Sequence, residues 1–541
     1  MKGQDMAKPN EKLAASLRKL KALQDQGARV FRTRDFSRVH LERLVTNGFL
    51  VDVVKGWYAL SRPTDNNGDS TAWYASFFEF VGAYSETRFG ADWHLSPEAS
   101  LAVHAGNTTV PRQVMVHTLR GANHNLQLIH ETSIFDYKVK AIKKDNVTTW
   151  PNGLRVLTEA AALVHASPAL FIDKAEDLQI ILARMKDVSE LLAKLLDGGH
   201  STVAGRMAGA FRALGRSGDA DRIVNTMKAT GYVVNEQNPF NKPVTVWERP
   251  PQSPYVMRIE LMWESMRKDI VGAFPQAPGI PTNIAPYIAD MNDRHVEDAY
   301  HSLSIEGYHV SEALIEKIAN GTWDPDENSS DTKDKDAMAA KGYHGAFEEV
   351  RKSVTRILTL EEPGKVVSHD HHDWYMKLFG PAVRAGLLEA KNLAGYRSWA
   401  IYIRNARHVP PSHEAVRHLM PALFELLSKE SVPAVRAILG HFIFVYIHPY
   451  GDGNGRMGRF LMNAMLASGG YPWTVVKVQD RTRYMEALGQ ASLNGDIKPF
   501  AQFIAECVQK QMDKATAHGD SNSAARPHGG IARLVTAPTA R

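Results

Sequence analysis

The stretch that decides the reading of this chain is His448-Pro-Tyr-Gly-Asp-Gly-Asn-Gly-Arg-Met-Gly-Arg459. Upstream, Ala434–Ile447 reads as a buried helix, and Pro449 suits the turn that ends it. Downstream, Phe460–Ala467 continues a second helix. Between the two, Gly451-Asp-Gly-Asn-Gly455 places three glycines in five residues, which permits positive φ and close backbone approach. Successive N–H groups at a helix start form an anion nest, and the helix dipole adds partial positive charge there. Arg456 and Arg459, at i and i+3, are expected to point from one helix face toward that nest, a pairing suited to a polyphosphate. Asp452 offers a hard oxygen for Mg²⁺, and His448 a base for the proton of an attacking hydroxyl. Phosphoryl-group transfer needs positioning, charge neutralisation and a base, and this one segment holds all three. A glycine-rich turn with a surface histidine is the bland alternative. It leaves the base, the acid, the Gly-Asn-Gly and the two arginines at one coherent spacing without a cause.

The segment resembles the signature of the Fic family, His-Pro-Phe-x-(Asp/Glu)-Gly-Asn-Gly-Arg-x-x-Arg, and departs from it only at Tyr450, where phenylalanine is usual. A tyrosine anchors the loop equally well if its hydroxyl finds a partner. The resemblance covers roughly residues 260–510. It implies a helical fold and transfer of AMP from ATP to a Ser, Thr or Tyr hydroxyl of a protein. It also implies roles: His448 as base, Asp452 on Mg²⁺, the Gly453–Gly455 backbone with Asn454 at the α-phosphate, and Arg456 and Arg459 at the β- and γ-phosphates. Two flanking stretches agree. Gly395–Pro411 resembles the family's flap, a β-hairpin that pairs with the target peptide by strand addition, with an ordinary surface hairpin as the alternative. Arg483–Leu488 resembles the segment on the adenine side, where Tyr484 is a candidate nucleotide contact and core packing the alternative.

A second motif, Ser302-Leu-Ser-Ile-Glu306-Gly307, lies upstream. On a helix Ser302 and Glu306 share a face, and Gly307 ends or bends that helix. By itself this is a Ser/Glu pair on a solvated face. Beside the signature it resembles the family's inhibitory helix, (Ser/Thr)-x-x-x-Glu-(Gly/Asn). The resemblance implies a salt bridge from Glu306 to Arg459 that takes the arginine needed by the γ-phosphate. The resemblance also permits the same glutamate to position a water for AMP removal.

Outward from these motifs, 541 residues suggest three or four domains, and 44% hydrophobic against 23% charged residues is ordinary globular composition. The net charge of +5 excludes a polycation, but Glu11–Arg62 carries eleven Lys/Arg against five Asp/Glu, a local +6 that suggests nucleic acid. In that stretch Leu13–Gln26 reads as a helix, Thr33 caps a second, Ser37 caps a third over Arg38–Thr46, and Phe49–Leu60 forms two strands turning at Lys55-Gly56. Three helices and a hairpin make a winged helix-turn-helix. Arg38, His40 and Arg43 are its candidate DNA-facing residues, Val39, Leu41, Leu44 and Val45 its packing, and Lys55 its wing contact. The segment resembles the winged helix of abortive-infection type antitoxins.

The region 63–238 is mixed, with strand-like Gln113–Leu119 and Leu126–His130 and helical Thr158–Val164, Val188–Leu196 and Ala220–Thr230. Five prolines in 239–254 signal an extended linker. The polar, acidic Trp323–Lys335 reads as a mobile loop. His369-Asp-His-His-Asp373 looks like a metal site, but neighbouring helical residues diverge, so it is set aside; Cys507 reads as core. That lone cysteine and the absence of a leader pattern point to a cytoplasmic compartment, and the apolar run Phe442–Ile447 is far short of a membrane span of ~20 residues.

The expectation is therefore a multidomain chain: a disordered tail (1–10), a winged helix-turn-helix (11–62), an α/β middle domain (63–238), a Pro-rich linker (239–254), an all-α Fic domain with a small β-hairpin flap (255–512, inhibitory helix near 295–306) and a second disordered tail (513–541). It is expected to use ATP and Mg²⁺, to bind its target protein through the 395–411 flap, to be autoinhibited by Glu306, and to offer residues 11–62 to DNA; a homo-oligomer is compatible, a membrane partner is not. The competing reading is a DNA-binding transcription regulator or antitoxin-like protein whose Fic domain is a regulatory nucleotide-binding module. A third, an inactive nucleotide sensor, conflicts with the complete His/Asp/Arg/Arg set. The nest reads phosphates, so the base of the nucleotide stays open.

Overall fold

The structure is a computed structural model that describes residues 9–61, 63, 69–248, 250–323 and 335–523, with Pro9 and residues 515–523 described by backbone alone. The N-terminal unit runs α1 (Pro9–Gln24), β1 (Val30–Arg32), a 3-10 turn (Thr33–Asp35), α2 (Arg38–Thr46), β2 (Leu50–Val54) and β3 (Trp57–Leu60). Its antiparallel sheet has the order β1-β3-β2, and Leu20, Phe31, Leu41, Leu44 and Leu50 form the core beneath it. The Ser37 hydroxyl caps α2 by accepting from the His40 N–H, and Gly48, at φ +73°, follows its end. A second α-helix does not form at Thr33. Val30–Arg32 is instead drawn into the sheet against β3, and Asp35 turns back to accept from the Arg32 N–H at 2.7 Å, so one 3-10 turn is all that remains. Val39, expected to pack, is 56% exposed.

The middle region packs α3 (Thr71–Phe89) and α4 (Pro97–His104) with β4 (Trp93–Leu95), β5 (Gln113–Thr118), β6 (His124–Gln127) and β7 (Ser133–Lys138). This sheet has the order β4-β5-β7-β6, with β5 and β7 parallel. A two-stranded ribbon, β8 (Val147–Thr149) and β9 (Arg155–Leu157), leads into six helices: α5 (Glu159–His165), α6 (Leu170–Asp173), α7 (Ala175–Arg184), α8 (Ser189–Asp197), α9 (Ser201–Ala213) and α10 (Ser217–Ala229). The chain then turns back in extended form along α9. The approach is so close that a Cβ on Gly205 or Gly209 would sit 2.0 Å from the carbonyl oxygen of Asn235 or Gln237. Phe240, Val244 and Trp247, within the proline-rich stretch, lie against this helical core.

The next helix, α11 (Pro254–Ala273), serves two cores. Met257 and Leu261 pack with the middle region, while Ile259, Met266 and Ile270 pack with the C-terminal bundle. Arg258, on its first turn, is buried against Asp177 of α7 at 2.6 Å. The bundle continues with α12 (Ala285–Asp293), α13 (His295–Ile305), α14 (Glu312–Ala319), α15 (Lys335–Leu358), α16 (Pro363–Arg384), α17 (His413–Lys429), α18 (Pro433–Ile447), α19 (Asn454–Ala467), α20 (Arg481–Asn494) and α21 (Lys498–Ser523). α18 and α19 are buried almost all round, as befits the centre of a bundle. α21 continues to Ser523, beyond the expected end of order at residue 512. Most of the expected Trp323–Lys335 loop, and residues 1–8 and 524–541 of the expected tails, lie outside the described residues. No helix among the described residues is long and apolar enough to cross a membrane.

Candidate active site

The site lies where α18 ends and α19 begins. His448 caps α18 in the left-handed conformation (φ 53°, ψ 61°). Its Nδ1 is 3.1 Å from the Val445 carbonyl oxygen; a carbonyl only accepts, so Nδ1 carries the proton and Nε2 is left as the acceptor. Burial pushes the imidazole down to about 4; the Val445 carbonyl opposes this, and Arg397 adds to it. The ring is therefore a neutral base at physiological pH.

Asn454 braces the loop that follows. Its Oδ1 accepts from the Tyr450 N–H and its Nδ2 donates to the Tyr450 carbonyl, both at 2.9 Å. The side chain expected at the α-phosphate is thus spent on holding the turn. Tyr450 is fully buried, its ring stacked on Tyr375 at 3.8 Å, and its hydroxyl has no hydrogen-bond partner among the described residues.

Gly453, at φ +79°, caps α19, and a Cβ there would meet the Phe379 ring at 2.7 Å. The first main-chain bond of the helix is Met457 N–H to Gly453 O, so the N–H groups of Asn454, Gly455 and Arg456 precede the ladder and form the nest. Asp452 is 65% exposed in its side chain; Oδ1 accepts from the Gly453 N–H at 2.6 Å and Oδ2 lies 3.6 Å from Arg456 Nη2. No group of three or more His, Cys, Asp or Glu side chains able to hold a metal occurs among the described residues. One exposed carboxylate beside a nest of N–H groups fits Mg²⁺ arriving with a nucleotide, since that ion takes one or two carboxylates and fills its remaining positions with phosphate oxygens and water.

The two arginines are already engaged. Arg459, buried, donates from Nε to Ser302 Oγ and from Nη2 to the Ser302 carbonyl (both 3.0 Å) and to Glu306 Oε1 (2.8 Å). Burial works against ionisation of Glu306, but Arg459 and then Arg456 overcome it and hold the carboxyl below its usual range. Glu306 Oε1 lies only 2.2 Å from where a Cβ on Gly455 would stand, so the carboxylate sits over the nest itself. Arg456 lies between the rings of Tyr308 and Phe379, each 5.0 Å from its guanidinium carbon, with Tyr308 OH 3.4 Å from Nη2.

Other expected residues stand elsewhere. Tyr484 is buried beside Phe500 and Phe503 with its hydroxyl on His441 Nε2 at 2.6 Å, which puts the ring in the core beneath Arg459 rather than on the nest. The 395–411 segment forms no two-stranded ladder. Its backbone bonds go elsewhere, from the Arg397 N–H to Pro449 O and from the Val110 N–H to Arg407 O, with a bridge between Thr109 and His408. Asn405 and Arg404 are tied to residues 69–71.

On α2, Arg43 Nη1 donates to Lys12 O and Ser16 Oγ, and His40 Nδ1 meets Ser16 Oγ at 2.9 Å; both side chains pack α2 on α1 instead of facing outward. Arg38 is exposed and paired with Glu42, and Lys55 is exposed in the β2–β3 turn. In the histidine cluster, Asp370 accepts from Ser353 and Arg356, while His371 turns to Tyr396 OH at 2.8 Å. Sequence reasoning did not single out Arg397, Tyr308 or His441. Arg397 lay inside the quoted flap, but nothing local marked its side chain as buried.

Residues 369–466 match the Fic/DOC family. The chain carries a Fic domain. The protein adenylyltransferase Fic of Nematostella vectensis is 32% identical over 238 residues, covering 43% of this chain and 52% of that protein. The protein of the same name from Aedes aegypti is 29% identical over 240 residues, covering 43% and 44%. The chain thus spans about half the length of these curated relatives. A solved structure of Fic-1 from C. elegans overlaps 64% of this chain and 98% of its own at 16% identity, with a TM-score of 0.35. The Fic match contains the whole of the His448–Arg459 loop, α17 and α18 and all of α16 from His369 onward, and leaves α13 with Glu306 outside it.

Proposed function

We propose that this chain is a protein adenylyltransferase that moves AMP from ATP to a hydroxyl of a target protein and is held off by its own Glu306. The phosphates of ATP would lie on the nest at the start of α19, with Arg456 and Arg459 as their cationic partners and Asp452 holding Mg²⁺. That ion would supply positive charge against the phosphates. His448 Nε2 takes the proton of the target hydroxyl. The hydroxyl oxygen bonds to the α-phosphorus, the bond from that phosphorus to the bridging oxygen breaks, and pyrophosphate leaves. The names of the relatives support AMP as the group transferred, and the nest supports any nucleoside triphosphate.

One observation carries the regulatory half of this reading: Glu306 Oε1 binds Arg459 at 2.8 Å and occupies the space above Gly455. A carboxylate there stands in for an anion of the substrate, so a triphosphate and Glu306 compete for one arginine. Glu306 facing the nest also supports a role in positioning water for AMP removal. The test is incubation with labelled ATP and Mg²⁺ of the full chain, Glu306→Gly and His448→Ala, with other labelled nucleotides in parallel. Glu306→Gly should raise self-labelling and His448→Ala should abolish it; equal labelling of all three would sink the proposal.

A DNA-binding regulator is the second reading, supported by the local +6 of residues 11–62 and the exposed Lys55. With Arg43 and His40 packed inward, contacts would fall to Arg38, Lys55 and the phosphate backbone. A salt-dependent shift of a DNA probe by the full chain tests it.

A further inference from the structure

Arg397 is 2% exposed and has no carboxylate partner among the described residues. Its guanidinium binds main-chain carbonyls instead: Nε donates to His448 O at 2.8 Å, Nη1 to Trp399 O at 3.1 Å, and Nη2 to Pro411 O at 2.5 Å and Ile447 O at 3.3 Å. Its own N–H donates to Pro449 O. Burial lowers the guanidinium to about 10, so it remains a cation at neutral pH. A buried charge without a counter-ion is costly, and here the offset comes from the last carbonyls of α18, the negative end of the helix dipole. One of those carbonyls belongs to His448, a non-glycine residue at φ 53°, a conformation that costs about 1 kcal/mol. The other two carbonyls, of Trp399 and Pro411, lie within the 395–411 segment expected to receive the target, one near its start and one at its end.

We infer that Arg397 is a positioning residue of the transfer reaction, fixing the left-handed main chain of His448 and tying it to Trp399 and Pro411 of the 395–411 segment. The inference rests on the adenylyltransferase reading. It makes the base and the docking segment one mechanical unit, so that His448 presents Nε2 correctly only when Trp399 and Pro411 are in place.

The experiment uses the full chain. Arg397→Met and Arg397→Lys are made in a Glu306→Gly background for kinetics with ATP and Mg²⁺, and in the otherwise unaltered chain for NMR titration of histidine-labelled protein, with the His448 signal assigned by its loss in His448→Ala. Arg397→Met should lower kcat about 10²-fold, the scale of a 1 Å misplacement, with the KM for ATP within about two-fold of the parent. Its His448 pKa should rise, because a cation is removed while Glu306 and Asp452, which favour the charged ring, remain. Arg397→Lys, which keeps a cation with three donors, should recover part of kcat and most of the original His448 pKa. A parental kcat in Arg397→Met would overturn the inference, as would a fall in kcat accompanied by a comparable rise in KM for ATP, the mark of general loosening. An unchanged His448 pKa overturns it whatever the activity. Absence of transfer in the Glu306→Gly parent would count against the adenylyltransferase reading, and the titration then decides the role of Arg397 by itself.

Discussion

Replacing Tyr450 with phenylalanine should stabilise the helical bundle. The tyrosine is fully buried, and its hydroxyl meets no partner among the described residues. Burying an unpaired hydroxyl costs about 1–3 kcal/mol. Little else is lost with it: the ring keeps its stack on Tyr375 at 3.8 Å, and both bonds to Asn454 are made by the main chain. The space vacated is one oxygen atom, about 10 Å³, and at about 24 cal/mol per Å³ it returns only ~0.2 kcal/mol. The net gain is about 1–2.5 kcal/mol. For a cooperative unit the size of this bundle, each kcal/mol moves Tm by about 2–4 °C, so Tyr450→Phe should melt roughly 2–10 °C higher in calorimetry. Tyr396→Phe is the matched control. Its hydroxyl bonds to His371 Nε2 at 2.8 Å, so that variant should melt lower, by about 1 kcal/mol in stability. A fall in Tm for Tyr450→Phe would refute the reasoning, since it would mean that the Tyr450 hydroxyl is satisfied, for example by a buried water.

Three other outcomes are expected. With the His448 ring pushed down to about 4, the base stays neutral through mildly acidic pH, so kcat/KM of Glu306→Gly should hold between pH 7 and 5.5 and fall only as the pH nears 4; a fall centred near the ordinary histidine value of about 6.5 would contradict this. Stability should decline as pH drops from about 6.5 to 4, because the unfolded chain takes up protons there while His295, His371, His408 and His441, held at about 4 or below by burial, do not. Asp298, pushed up to about 6 by burial, opposes that trend in the same window, so urea midpoints of Asp298→Asn should fall more steeply with acid than those of the parent. Finally, Asp177→Ala should cost about 3–5 kcal/mol by leaving the buried Arg258 with only the more distant Glu176, whereas Asp177→Leu with Arg258→Met should cost far less; thermal melts of the parent and these two variants separate the two cases.

The N–H nest at the start of α19 was legible in the sequence because its pattern is local: glycines, an acid, a histidine and two arginines within one turn and the start of a helix. The Glu306–Arg459 contact bridges 153 positions, and only the family motif gave it away. What stayed hidden were directions and destinations of side chains. Asn454 stands in the signature, yet its amide is spent on Tyr450, a choice made by loop closure. Arg43 has the right spacing for a groove-facing residue, but α1 offers it the Lys12 carbonyl, and the inward bond wins. Tyr484 follows helical periodicity equally well facing the nest or the core, and the neighbouring His441 and Phe500 decided for the core. At the N-terminus, a helix of a few residues competed with a strand pairing that only the distant β3 could supply.

The double allegiance of α11 bears on how this protein can be divided. A cut at the proline-rich stretch would release a C-terminal bundle beginning near residue 254. That bundle would open on a helix with Met257 and Leu261 stripped of their neighbours and Arg258 parted from its carboxylate. Such a fragment would carry a sticky apolar stripe and an orphaned cation at its leading end, and would tend to aggregate or to seek a replacement surface. The middle region thus covers the leading end of the C-terminal bundle, and the two are best handled as a single piece.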